Sequence, residues 1–386
     1  MSKKLFTRRH SLYLGLGTLA GIGAITSGKL INGFAKNQVI ANQNRTFNVV
    51  KNIPLKERAA CKGLIYGADC GTLNLQSDLT LQTAVIQECA MLVPGFLKWD
   101  ILRPTADSFD FTSSDWYVKF AKNNQMLLRG HTLVWHNALP RWFKETVNKQ
   151  NAQQFLEQHI QKVAGRYAGK MHSWDVVNEA INIEDGLPNG LRKSPWLDLI
   201  GLDYIDRAFR LAAKVDPQAL LLYNDYGLEY NTSEHEAKRT AVLKLLERLK
   251  SKGTPVHAFG MQSHLLGHET RFNPQKLRDF FRNVASLGLK IMITEMDVAD
   301  KSLPLDIKLR DRIVAGVYED YLSVALDEKA VIAVITWGLS DKYSWLNEFQ
   351  PRPDRKRVRP LPLDAQMQPK LAWNAIARAF DHAPKR

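Results

Sequence analysis

The chain has 386 residues, 45% hydrophobic and 24% charged, a balance that excludes disordered and collagen-like classes. Its formal charge of +14 comes from 53 basic and 39 acidic residues. That excess sits in the first 56 residues, which hold no acid, and in the run Arg352, Arg355, Lys356, Arg357, Arg359, without the interleaved stacking aromatics of a nucleic-acid groove.

No nucleic-acid partner is therefore expected, and the run reads as a solvated basic loop. Residues 1–35 read as an address rather than as fold. Thr7-Arg8-Arg9-His10-Ser11-Leu12 resembles a twin-arginine export signal ahead of the apolar stretch Leu12–Ile25. Four glycines break that stretch, which is shorter than the ~20 apolar residues a membrane helix needs. Export to the periplasm or exterior is expected, without stable membrane insertion, and residues 36–59 are read as an N-terminal segment or linker. Cys61, Cys70 and Cys89 lack metal spacing, so no zinc site is expected. They are read as buried free thiols, with a Cys61–Cys70 bridge left open.

From residue 60 on, short apolar runs alternate with helical patterns. Eight strands are expected at Gly63–Ala68, Cys89–Val93, Met126–His131, His172–Val177, Ala219–Asn224, Val256–Met261, Lys290–Glu295 and Val331–Trp337. Helices are expected between them, among others at Ala152–Tyr167, Leu202–Lys214, Glu234–Lys252, Pro274–Leu287 and Leu305–Leu326. Eight such units over residues 60–380 fit one α/β domain, a (β/α)8 TIM barrel. The alternative, an open doubly wound sheet, lacks a GxGxxG after its first strand.

Barrel active sites gather at the C-terminal ends of the strands, and here those ends are polar. Arg129-Gly130-His131, Asn178-Glu179, Asn224-Asp225-Tyr226, Gln262-Ser263-His264, Glu295-Met296-Asp297 and Trp337-Gly338 fall in phase. Glu179 and Glu295 each follow an apolar strand, where a carboxylate is costly unless paired or used. Either one alone could be a structural ion pair. Two, at the fourth and seventh strands, face each other across the mouth, an arrangement suited to glycoside hydrolysis.

The chain resembles glycoside hydrolase family 10, the endo-β-1,4-xylanases, over roughly residues 60–380. The resemblance rests on Lys98-Trp99-Asp100, Gly130-His131-Thr132-Leu133-Val134-Trp135-His136, Trp174-Asp175-Val176-Val177-Asn178-Glu179, Asn224-Asp225-Tyr226, Gln262-Ser263-His264, Thr294-Glu295-Met296-Asp297 and Thr336-Trp337-Gly338-Leu339-Ser340-Asp341. It implies a cofactor-free, metal-free, retaining xylanase acting on xylan or xylo-oligosaccharides as a monomer, with Glu179 the acid/base and Glu295 the nucleophile. It further implies that Asn178 meets the 2-hydroxyl of the reacting sugar, that His264 and Asp297 orient Glu295, and that Gln262 sits near Glu179. Lys98, His131, Trp135, His136, Tyr226, Trp337 and Trp345 would line the sugar cleft.

Three departures are visible. The usual Pro-Glu-Asn-x-x-Lys-Trp is Pro94-Gly95-Phe96-Leu97-Lys98-Trp99, one residue shorter and without the Glu-Asn pair. Ala138 replaces a usual Gln, and Gly227 a usual Asn. The expected result is a working but inefficient xylanase. A related β-1,4-glycan hydrolase and a carbohydrate-binding barrel with little turnover remain the alternatives.

Overall fold

The computed structural model describes residues 44–386. The export signal expected at 1–35 lies outside the described residues. Eight parallel strands close into a barrel: β1 (Ile65–Asp69), β2 (Met91–Val93), β3 (Leu127–Gly130), β4 (Ser173–Asn178), β5 (Leu220–Asp225), β6 (Ala258–Met261), β8 (Lys290–Ala299) and β9 (Val331–Thr336). Pairing of β1 with β9 and of β6 with β8 completes the ring. The short β7 (His264–Leu266), which the sequence reading did not separate, pairs with the far end of β8.

A first helix, α1 (Leu55–Ala60), precedes the barrel. The principal helix after each barrel strand is, in order, α2 (Leu79–Glu88), α3 (Thr112–Asn123), α4 (Ala152–Arg166), α5 (Tyr204–Val215), α6 (Ser233–Ser251), α7 (Pro274–Ser286), α8 (Ile307–Ala325) and α9 (Leu371–His382). Their starts are chemically marked. Asp78 accepts the Thr80 and Leu81 amides, Asn273 and Asp306 accept Lys276 and Leu309, and Pro274 opens α7, each cap satisfying amides that the first turn leaves unpaired.

Alternation along each strand divides the core in two. Met91, Val93, Leu222, Ala258, Met292, Ala333 and Ile335 fill the barrel interior, while a larger apolar layer lies between sheet and helices. This filled interior pushes polar chemistry to the rim, where the strands end.

Three expectations need correction. From residue 44 on, the supposed linker is part of the fold. Phe47 and Leu55 are buried, and Glu88 accepts both the Leu55 amide and the Trp373 indole at 2.9 Å, tying α1 to α2 and α9. A buried carboxylate needs such donors, and the chain before residue 60 supplies one of them. The cysteines are all free, but Cys61 is exposed while Cys70 and Cys89 are buried. Nor is the basic run simply solvated. Arg352 is buried and bonds Asp354 and the Asp300 and Leu303 carbonyls, and Arg359 pairs with Asp311 at 2.7 Å.

Candidate active site

Glu179 and Glu295 stand on opposite sides of the barrel mouth, 8% and 4% exposed. Glu179 directly follows β4 with a left-handed backbone (φ 58°), strain of a kind found where structure positions a reacting group. Simple alternation would send Asn178 and Glu179 to opposite faces. The turn instead lets Asn178 Nδ2 donate to Glu179 Oε1 at 3.1 Å. Ser263 is likewise left-handed (φ 62°), and its neighbours Gln262 and His264 both reach the cleft, one at Glu179 and the other at Glu295.

Three N–H donors fix Glu179. Trp135 Nε1 gives to Oε2 at 2.9 Å, and Gln262 Nε2 gives to Oε1 at 3.0 Å beside the Asn178 contact. Beyond it, Arg192 donates to the Glu179 carbonyl at 2.6 Å and to the Tyr226 hydroxyl at 2.9 Å. Lys238 sits 3.6 Å from the centre of the Tyr226 ring and pairs with Asp225 at 2.8 Å.

Glu295 is held differently, among cations. His264 Nε2 lies 3.4 Å from Oε2 and its Nδ1 3.0 Å from Asp297, whose other oxygen accepts Trp345 Nε1 at 2.7 Å. Burial lowers the His264 pKa, but the Asp297 and Glu295 carboxylates overcome it and raise it to about 10. Burial likewise raises Glu295, yet His131, His264 and Arg129 together hold it at about 2. Glu295 is therefore ionised across the whole neutral and mildly acidic range.

Asparagine amides join the two carboxyls. Asn224 Nδ2 donates to Glu295 Oε1 at 2.8 Å and to Asn178 Oδ1 at 2.9 Å, and Asn178 passes on to Glu179. Thr294 fixes the Asn224 orientation by donating to its Oδ1 at 2.7 Å. His131 reaches within 3.9 Å of Glu295 and bonds Asp175 at 2.7 Å. Trp337 stands edge-on to His131, ring centres 5.3 Å apart.

His131, Asp175 and Glu295 lie close enough together to suggest a metal. Arg129 occupies one Asp175 oxygen and His131 the other, so a second cation there would meet a guanidinium. The cluster reads better as a hydrogen-bonded charge network. His136 differs, since neither ring nitrogen has a hydrogen-bond partner and burial holds its pKa at about 3. It is a neutral imidazole with one donor and one acceptor free for a sugar hydroxyl. Lys98 is buried with its ammonium 5.3 Å from the centre of the Trp135 ring; burial lowers its pKa against the pull of Asp69, Glu295, Asp100 and Glu179.

The family model for glycosyl hydrolase family 10 matches residues 54–379. The chain belongs to that family. It is 37% identical over 292 residues to "Beta-1,4-xylanase" of Dictyoglomus thermophilum, covering 73% of this chain and 79% of the relative. To "Endo-1,4-beta-xylanase C" of Paenibacillus barcinonensis it is 35% identical over 73% of its length, but that match spans only 27% of the longer relative. Among solved structures, xylanase 10B from Thermotoga petrophila RKU-1 in complex with xylobiose superposes with a TM-score of 0.77 at 33% identity, covering 86% of this chain and 99% of that one.

Against that family frame, every site residue named from the sequence lies on the catalytic rim. Sequence reasoning left out Asn224, Arg129 and Asp175, although each falls within a strand-end motif. It also missed Arg192 and Lys238, which reach the cleft from a loop and from α6, where no local pattern marks them.

Proposed function

We propose that this chain, an endo-β-1,4-xylanase of family 10, works by double displacement with Glu295 as nucleophile and Glu179 as acid/base. One observation carries the reading: two buried carboxyls face one cleft, one kept ionised among His264, His131 and Arg129, the other held by N–H donors on the far side. In the first step Glu295 attacks the anomeric carbon while Glu179 gives its proton to the departing glycosidic oxygen. The esterified Glu295 loses its charge. Glu179, now a carboxylate, takes a proton from water, which attacks the same carbon from the opposite face and returns Glu295 to its ionised form.

Asn178, whose Nδ2 keeps one hydrogen beyond its bond to Glu179, is placed to present an amide to the 2-hydroxyl of the reacting sugar, a contact that strengthens as positive charge develops on the ring. His131, Lys98 and His136 offer further donors, and Trp337 and Trp345 offer apolar walls for the CH faces of xylose. One chain supplies every one of these groups, which supports a monomer as the working unit. Proton NMR of the first-formed product should show the β anomer, and an initial α anomer would remove Glu295 from the nucleophile role.

Arg8 and Arg9 ahead of the glycine-broken apolar stretch support export in folded form by the twin-arginine route, to the periplasm or the exterior. No helix among the described residues is long and apolar enough to cross a membrane. Replacing both arginines by lysine should leave unprocessed precursor in the cytoplasm. Undiminished mature protein outside would instead assign the segment to an ordinary secretory route.

A further inference from the structure

We infer that Asp69 is a substrate-binding carboxyl, which together with Lys98 holds the sugar next to the reacting unit on the side that remains attached to Glu295. This rests on the xylanase reading above. Asp69 ends β1 at the catalytic rim and is only partly buried, the position from which a barrel presents functional groups. The Gly71 amide donates to it in a long, 3.4 Å hydrogen bond, and its carboxylate keeps acceptor capacity for a hydroxyl.

Three further observations converge on it. Burial pushes its pKa up to about 6, against Lys98, the Gly71 amide and His131, with Glu295 adding to the rise. Asp69 shares its cavity with Trp337 and Trp345, and Trp345 donates to Asp297, the partner of the His264 that faces Glu295. That places it on the Glu295 side of the cleft, the glycone arm. Lys98 and Asp69 feel each other's charge, so the ammonium and the carboxyl lie near each other as donor and acceptor.

The second observation is Gly95. A Cβ there would stand 3.4 Å from Asp69 Oδ1, so the loop after β2 packs its backbone beside the Asp69 carboxyl. The third is a cavity of about 60 Å3 bounded by Asp69, Asn74, Trp337, Tyr343 and Trp345. Its wall pairs the Asp69 carboxyl with two indole rings, the mixed polar and apolar lining that a sugar edge meets.

The test compares 4-nitrophenyl β-xyloside, which fills only the reacting position, with 4-nitrophenyl β-xylobioside, which adds the neighbouring glycone sugar. In Asp69→Ala the ratio of kcat/KM for xylobioside over xyloside should fall about tenfold, the effect of one charge-assisted hydrogen bond. Asp69→Asn, which keeps shape and an acceptor, should fall less, and serves where the alanine variant folds poorly. An unchanged ratio, or an equal loss on both substrates, overturns the assignment. Wild-type turnover of both glycosides sustains the underlying reading whichever way the ratio moves.

Discussion

Replacing Glu295 by Ala should lower kcat on xylan on the order of 10^5-fold, the scale on which loss of a covalent nucleophile acts. At ~1.4 kcal/mol per decade this is about 7 kcal/mol of transition-state stabilisation. The size follows from the surroundings. His264, His131 and Arg129 are arranged to hold a negative charge at this point, so removing the carboxylate leaves buried positive groups facing an incipient cation. The sign of the repair is also fixed. Azide admitted into the space left by the side chain should attack from the nucleophile's face and yield the α-xylosyl azide, with Glu179 still protonating the leaving group. A β-azide, or activity within tenfold of wild type, would assign the nucleophile elsewhere.

How much of this was legible beforehand depended on whether a feature was local. The barrel strands were found within about two residues because each is a short apolar run bounded by polar punctuation, except that β8 runs on past the expected end at Glu295 to Ala299. β7 was not separated from Gln262-Ser263-His264, since a three-residue strand carries no period. Likewise the position of Glu179 beside Asn178 depends on a left-handed backbone at a residue that is not glycine, and alternation alone predicts the reverse. The strand-end motifs located the carboxyls and the amides. Arg192 and Lys238 remained invisible because their approach to Tyr226 is set by packing of distant segments. Residues 44–59 looked like a linker from composition, yet Leu55 donates to a buried Glu88 that only the folded barrel brings within reach. The shortened loop after β2 was legible as a loss. What stands opposite Gly95, the Asp69 carboxyl, was not.

Replacing Glu179 by Ala should separate the two half-reactions. On xylan the leaving group is a poor one, a sugar alkoxide that needs protonation, and kcat should fall by ~10^2–10^4-fold, the range of general acid catalysis. On an aryl β-xylobioside with an acidic phenol the first step needs no proton, so Glu295 should still be glycosylated. Water then lacks its base, and the covalent intermediate should accumulate as a burst of phenol followed by slow turnover, with a lowered KM. Azide needs no deprotonation, and from this side of the cleft it should accelerate the second step and give the β-xylosyl azide, the anomer opposite to that of the Glu295 variant. The neighbouring donors make the contrast sharp. Trp135, Gln262 and Asn178 converge on the Glu179 carboxyl and touch neither oxygen of Glu295, so their loss of a partner is confined to one side. Equal losses on xylan and on the activated glycoside, without a burst and without azide rescue, would mean that Glu179 shapes the cleft rather than moving the proton.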